Sequence, residues 1–333
     1  MAVGAGLAGS IGFGVEPVGT YGTYAPPTVW FEFESETLTD VRAKANASGL
    51  ASGVLVERGA RRTMVSEDVN GQIVLYATQK KIGILLAHVM SSDVVPTLVS
   101  GLAYTATHVD NNNGLRGKSF TIQKGVPQAD GTVKPYSFLG CKITAMQIEL
   151  GRGEMLKLTL TIDGRAVSEA QALVAPTYVT GLLPYSFKGW ALTSGAYGSE
   201  TALGGISKLT LTLTRTMKTD RYNANGGGLK DEPVQNGRTV IAGTFDAEFV
   251  DKTRLADVYA NDSAISLISS YVGASIGVPN ASLTVNLPAV YLNGSTPGLA
   301  GEDIVSTSIP FVALYDDVRP AMAVTYVSTD TTL

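Results

Sequence analysis

Residues 138–163, FLGCKITAMQIELGRGEMLKLTLTID, constrain the fold more than any other stretch of the chain. Leu156, Leu158, Leu160 and Ile162 alternate with Met155, Lys157, Thr159 and Thr161, the period of two of a strand with one buried face. Met146, Ile148 and Leu150 alternate in the same way with Ala145, Gln147 and Glu149. Between the two arms, Gly151-Arg152-Gly153 offers the positive φ angles that a short hairpin loop needs. Burying these apolar side chains stabilises by about 1.5–3 kcal/mol each, before the entropy of ordering them is subtracted. A lone hairpin cannot hold such a face out of water, so the rest of the chain has to supply a second layer.

The composition fits that demand. Of 333 residues, 44% are apolar and only 16% charged, which describes a packed protein with room for one large domain or two ordinary ones. The 37 glycines, together with frequent Thr, Val, Tyr and Ser, favour a turn-rich β protein. A net charge of −4 argues against tight nucleic-acid binding. One cysteine, Cys141, excludes a disulfide framework and reads as a small buried hydrophobe. No run of 18 apolar residues occurs and the N-terminus lacks a basic signal-peptide region, so the expectation is a cytoplasmically made, soluble chain with no membrane partner.

Taken in order, residues 1–28 read as a loose glycine-rich arm, ordered by what it touches. Val29 to Phe33 reads as a strand, and Glu34 to Arg62 as a long charged loop. Val69 to Tyr76 is a strand, and Thr78 to Met90 a helix with Ile82, Leu85, Leu86 and Val89 on one stripe. A turn at Asp110 to Gly114 and a strand from Ser119 to Lys124 lead to the central hairpin. Residues 166–205 read as a linker region. Then come a strand at Ile206 to Thr214, a second charged loop at Arg215 to Arg238, a strand at Thr239 to Val250, and a helix from Asp251, an N-cap. Strands near Ser282 to Leu287, Ile304 to Leu314 and Ala321 to Val327 close the chain. The order strand, charged loop, strand, helix, strands therefore occurs twice, in 29–165 and again in 206–333, and reads as a duplication.

No catalytic constellation can be assembled. His88 and His108 are isolated, and with one cysteine they give no zinc or iron–sulfur spacing, so no metal and no cofactor is expected. His88 reads as a helix-border residue. Gly4-Ala5-Gly6-Leu7-Ala8-Gly9 matches the dinucleotide fingerprint in letters only, because three residues precede it where a strand is required. Glu32 and Glu34 beside Trp30 are the nearest thing to a glycosidase carboxylate pair, but they run straight into the charged loop. Tyr21, Tyr24 and Trp30 read either as an aromatic contact patch or, for Trp30, as core.

Gly12 to Tyr24, GFGVEPVGTYGTY, resembles the opening of siphophage major tail tube proteins. The similarity continues in Trp30 to Leu38, in Val69 to Met90, in Ser119 to Ile122 and in Phe138 to Ile143, with order carrying the signal. The resemblance implies a mainly β, sandwich- or barrel-like tail-tube fold with a flanking helix, here duplicated in one chain. It implies a structural subunit without enzymatic activity. Stacked rings of such subunits enclose a tape measure protein, meet tail terminator and tail-tip proteins, and conduct double-stranded DNA without binding it specifically. The setting would be the tail of a virion assembled in the host cytoplasm. A fimbrial-type surface subunit is the alternative.

On that reading the two charged loops carry contacts between rings. The residues singled out are Arg42, Lys44, Arg58 and Arg61 in the first, and Arg215, Lys218, Asp220, Arg221, Lys230 and Asp231 in the second. Glu149 and Asp163, off the apolar stripe of the hairpin, are expected to line the bore. A chain twice the length of a simple tube subunit is expected to form rings of three copies rather than six.

Overall fold

The computed structural model describes residues 6–110, 114–181, 183–249, 255–294 and 304–333. In the first half the strands are β1 (Ser10–Val15), β2 (Val29–Trp30), β3 (Ser35–Glu36), β4 (Thr39–Asn46), β5 (Arg62–Tyr76), β6 (Thr97–Ser100) and β7 (Ala103–Val109). They continue with β8 (Phe120–Pro127), β9 (Val133–Gly151), β10 (Lys157–Gly164) and β11 (Ala166–Ser168), and helix α1 (Gly83–Val89) lies between β5 and β6. In the second half come β12 (Trp190–Gly195), β13 (Thr201–Ala202), β14 (Ile206–Lys218) and β15 (Val234–Glu248). Helix α2 (Ala256–Ala260) follows, then β16 (Ile265–Val272), β17 (Ser282–Leu292), β18 (Ser306–Ala313) and β19 (Ala323–Ser328).

The expected hairpin is β9 and β10, paired Lys157 to Glu149, Leu158 to Ile148 and Leu160 to Met146. Met146, Ile148, Leu150, Leu156, Leu158, Leu160 and Ile162 are all buried. Of the two loop glycines only Gly153 has positive φ, at 78°. β9 also bridges the layers. Its first part pairs with β8, and beyond Gly140, where φ is +65°, it turns into the large sheet beside β10 and β14. The core between the layers holds Phe13 edge-on to Phe31 and Phe120, with ring centroids 5.4 and 5.5 Å apart. α1 sits inside this core and is buried along its whole length, not on one stripe. It is shorter than the apolar pattern suggested because Lys81, at φ 68°, breaks helical geometry one residue before its N-cap Ile82.

Four expectations are corrected. The arm contains β1, whose Ile11 and Phe13 are fully buried against β8. Its glycines serve close approach: a Cβ on Gly14 would lie 2.5 Å from the carbonyl oxygens of Ala25 and Pro26. The first charged loop is a two-stranded ribbon of β4 and β5, and the second is the outer end of β14 and β15. The linker region carries β12, which pairs with β16. The strand from Val29 ends after two residues. The turn residues Asn111 to Asn113 and the N-cap Asp251 lie outside the described residues.

The pairing scheme repeats. In the first half β1 pairs β8, β8 pairs β9, β9 pairs β10, β10 pairs β5, β5 pairs β4 and β11 pairs β9. In the second half β12 pairs β16, β16 pairs β17, β17 pairs β18, β18 pairs β15, β15 pairs β14 and β19 pairs β17. Each pair is antiparallel, and each helix follows the second strand of its ribbon. The halves join through β9 with β14 and through β7 with β19. The first joint makes one sheet in the order β4, β5, β10, β9, β14, β15, β18, β17.

Candidate functional site

The register of that sheet sorts its side chains into two faces. One row crosses six strands as Leu75, Leu158, Ile148, Leu211, Gly243 and Phe311; the next apolar row is Ile73, Leu160, Met146, Leu213, Ile241 and Ala313. These rows face the core. Alternating with them, on the opposite face, run Tyr76, Lys157, Glu149, Thr210, Thr244 and Pro310, then Val74, Thr159, Gln147, Thr212, Ala242 and Val312. The face is threonine-rich and close to neutral, because its charges are paired within it. Glu149 meets Lys208 at 2.6 Å, and Lys157 meets Glu34 at 2.8 Å. Hydrogen bonding to those carboxylates holds both lysines above the ordinary range.

Asp163 is not on this exposed face. It is buried beneath the tip of the second ribbon (residues 219–233), where Lys230 Nζ lies 2.7 Å from it and 2.5 Å from Asp68. Burial pushes the Asp163 carboxyl up to about 6, with Lys230 pulling against it and Asp68 adding to it. For Lys230, burial disfavours the charge, but the two carboxylates outweigh it and leave its pKa raised. Beside this trio, Lys142 Nζ bonds Glu232 at 2.8 Å and the carbonyls of Leu115 and Lys118, and burial lowers its pKa. Backbone contacts complete the seat: Glu67 N–H donates to Gly228 O at 3.0 Å, and Tyr222 Oη to Glu67 O at 3.1 Å. The second tip is therefore docked on the first half of its own chain.

Two of the residues singled out for ring contacts are thus internal. Lys230 is fully buried, and so is Arg215, which donates from Nε to Val89 O at 2.7 Å and pairs with Asp110 at 2.6 Å. Their charge is spent on holding loops that the local sequence could not connect. Arg221 is half-buried and bonds Glu232 O, while Asp231 meets Asn223. Lys218 and Asp220 stay exposed and paired with each other. Arg42, Lys44, Arg58 and Arg61 all stay exposed on the first ribbon.

That ribbon is open to solvent on both faces. Residues 52–65 are exposed throughout, and so are 41–50. It carries Leu50 and Leu55 with no cover at all, Val56 largely uncovered and Val65 half-exposed. Beside the seat of the second tip, a cleft of about 1440 Å³ runs along the outer ends of β15 and β18, lined by Val234, Gln235, Arg238, Leu314, Tyr315 and Val318, with Leu115, Arg116, Arg221 and Glu232 also on its wall.

A residue missed by sequence reasoning pins the arm. Glu16 is buried, and its carboxylate accepts from Gly22 N, Ser119 Oγ, Thr121 Oγ1 and Gly140 N at 2.6–3.0 Å. Tyr21 lies 5.8 Å from both Lys142 and the Arg165 guanidinium, and Trp30 is core. His88 is buried and stacked on Phe120 at 4.6 Å, not a helix-border residue, and burial lowers its pKa. Burial raises the Cys141 thiol. Among the described residues no group of His, Cys, Asp and Glu is arranged to hold a metal ion, and no helix is long and apolar enough to cross a membrane.

A chain of paired antiparallel halves, with one neutral face and one free ribbon, is built as a structural subunit of a β-rich assembly. The family model of phage tail tube proteins matches residues 6–313, and the chain belongs to that family. None of the curated proteins compared with it matches. The fold is the β-rich tail tube fold that the sequence resemblance implied.

Proposed function

We propose that this chain is the repeating subunit of a tail tube, forming rings of three copies that stack, enclose the tape measure protein and later conduct double-stranded DNA. The observation that carries the reading is the joint of β9 with β14, which makes two halves of equal pairing scheme into one sheet. Repeating that joint between chains, with β17 in the place of β9 and the β4 edge in the place of β14, continues the sheet around a bore.

The threonine-rich face lines that bore, Glu149 with it, and Asp163 drops out. Paired charges and hydroxyls suit a duplex that must slide, since unpaired Lys or Arg rings would hold phosphates by counterion release. Exposed Arg42, Lys44, Lys218 and Asp220 are left for contacts between rings. Terminator and tip proteins close the two ends, and assembly takes place in the host cytoplasm before the tail joins a virion.

Electron microscopy of the purified protein tests this: rings or tubes are expected, and a monomer at every concentration overturns it. The assembled tubes are expected to pass unretained through a DNA column at physiological salt.

A further inference from the structure

We infer that the first ribbon of one copy docks in the cleft on the second half of its neighbour in the ring, as the second ribbon docks on the first half within the chain. The inference deepens the tube-subunit reading and rests on it. The occupant is a second copy of this chain.

The repeat identifies both partners. β5 and β15 are each 15 residues long, so Arg62 corresponds to Val234 and Ile73 to Phe245, which pair with Leu160 and Ile309 in the third strand of each half. Counting outward from them, the seat of the second tip on β5 and β10 corresponds to the outer ends of β15 and β18. Those ends are the walls of the cleft. Asp317, just past the end of β18, lines that cleft and is exposed.

On the ribbon side, the tips 47–61 and 219–233 are equally long, and a register shift precedes each, at Ala43/Lys44 and at Arg215/Met217. The second tip is seated by Lys230, four residues before its return strand begins at Val234. Arg58 stands four residues before Arg62, where the return strand of the first ribbon begins, and is exposed. A two-stranded ribbon with no layer against it is not stable in water alone, and this one bears exposed Leu50, Leu55 and Val56.

The test places a benzoylphenylalanine photocrosslinker at Leu50 or at Leu55, in separate variants, within otherwise native full-length protein that still forms tubes by electron microscopy. Mixing isotopically heavy and light chains marks crosslinks between copies. Expected are crosslinks to peptides within 234–241 or 313–321 of another copy, and a ladder on a denaturing gel that ends at three chains, because a ring closes. A ladder that ends at six supports the docking and overturns three-copy rings. Crosslinks only elsewhere, or a ladder running past six as axial contacts would give, overturn the docking while tubes persist. A protein that never self-associates overturns both readings. As a second measurement, Arg58→Glu is expected to raise the concentration needed for assembly at least tenfold with the melting temperature unchanged. An unchanged assembly threshold would count against a seated cation at the tip.

Discussion

Single buried charges decide how this chain is tied together, and they are the part least readable from sequence. Glu16 sits in a glycine-rich arm whose composition suggests looseness, yet its carboxylate closes four hydrogen bonds from three separate segments. Glu16→Ala leaves the N–H groups of Gly22 and Gly140 and two hydroxyls without their acceptor, so a loss of about 2–4 kcal/mol is expected in urea unfolding. Asp163 has a pH signature of its own. With its folded pKa raised to about 6 by burial, the folded state takes up a proton before the unfolded state does. The contribution of this group therefore becomes more favourable as pH falls from about 7 to about 4, by no more than about 2–3 kcal/mol. His88 acts in the opposite sense, because burial holds it neutral while the unfolded histidine charges below about 6.5. The measurement is thus a difference: unfolding free energy of the native protein minus that of Asp163→Asn, across this range. The difference is expected to shift toward the native protein on acidification, and a flat difference would refute the assignment. Arg215, Lys230 and Asp163 looked like surface charges because nothing nearby in sequence reveals Asp110, Asp68 or the tip that covers them.

At the scale of elements, legibility follows from sidedness. The β9–β10 hairpin was readable because one face is buried and the other is not, which writes a period of two into the residues. The ribbons were misread as loops for the converse reason. With both faces of β4 in solvent, its residues need no alternation, and hydrogen-bond pairing leaves no mark on composition. β1 was hidden because its alternation is carried by glycines, whose missing side chains make room for Pro26 and Trp30. The same reasoning gives a packing prediction at Gly243, the glycine in the row shared by Leu211 and Phe311. A Cβ there would stand 2.3 Å from Thr210 O and 2.6 Å from the Phe311 ring. Gly243→Val is expected to cost at least about 1–3 kcal/mol and to lower the unfolding midpoint. Leu160→Ala, in the middle of the sheet, is expected to cost about 2–5 kcal/mol through the cavity it leaves. Both are read by denaturant unfolding of the purified protein.

For the whole molecule, the question is how many chains close a ring, and the answer depends on whether the two halves are equivalent modules. Residue identity between them is too weak to decide, and order alone suggested the duplication. The six repeated pairings support it more strongly, because unrelated β segments of one chain have no reason to reproduce strand order, antiparallel sense and helix position together. If each half occupies one position around the bore, the joint within the chain and the joint between chains alternate. A closed ring then needs the two rotations to sum correctly over one chain, not each joint to be identical. That tolerance accounts for the difference between the halves: a first ribbon left exposed within the chain, and a second ribbon fastened by an ion trio that the first lacks there. It also predicts unequal strengths. The inner joint, with β9 and β14 paired from Leu150 to Ala145, is covalently backed and holds at any concentration. The outer joint forms by association and responds to dilution. Native mass spectrometry of rings released from tubes at low protein concentration is therefore expected to show three chains, falling directly to single chains on further dilution. Half-chain fragments joined in sixes would not appear. A dominant species of six full chains would mean that each chain contributes one position, with its second half packed outside the bore.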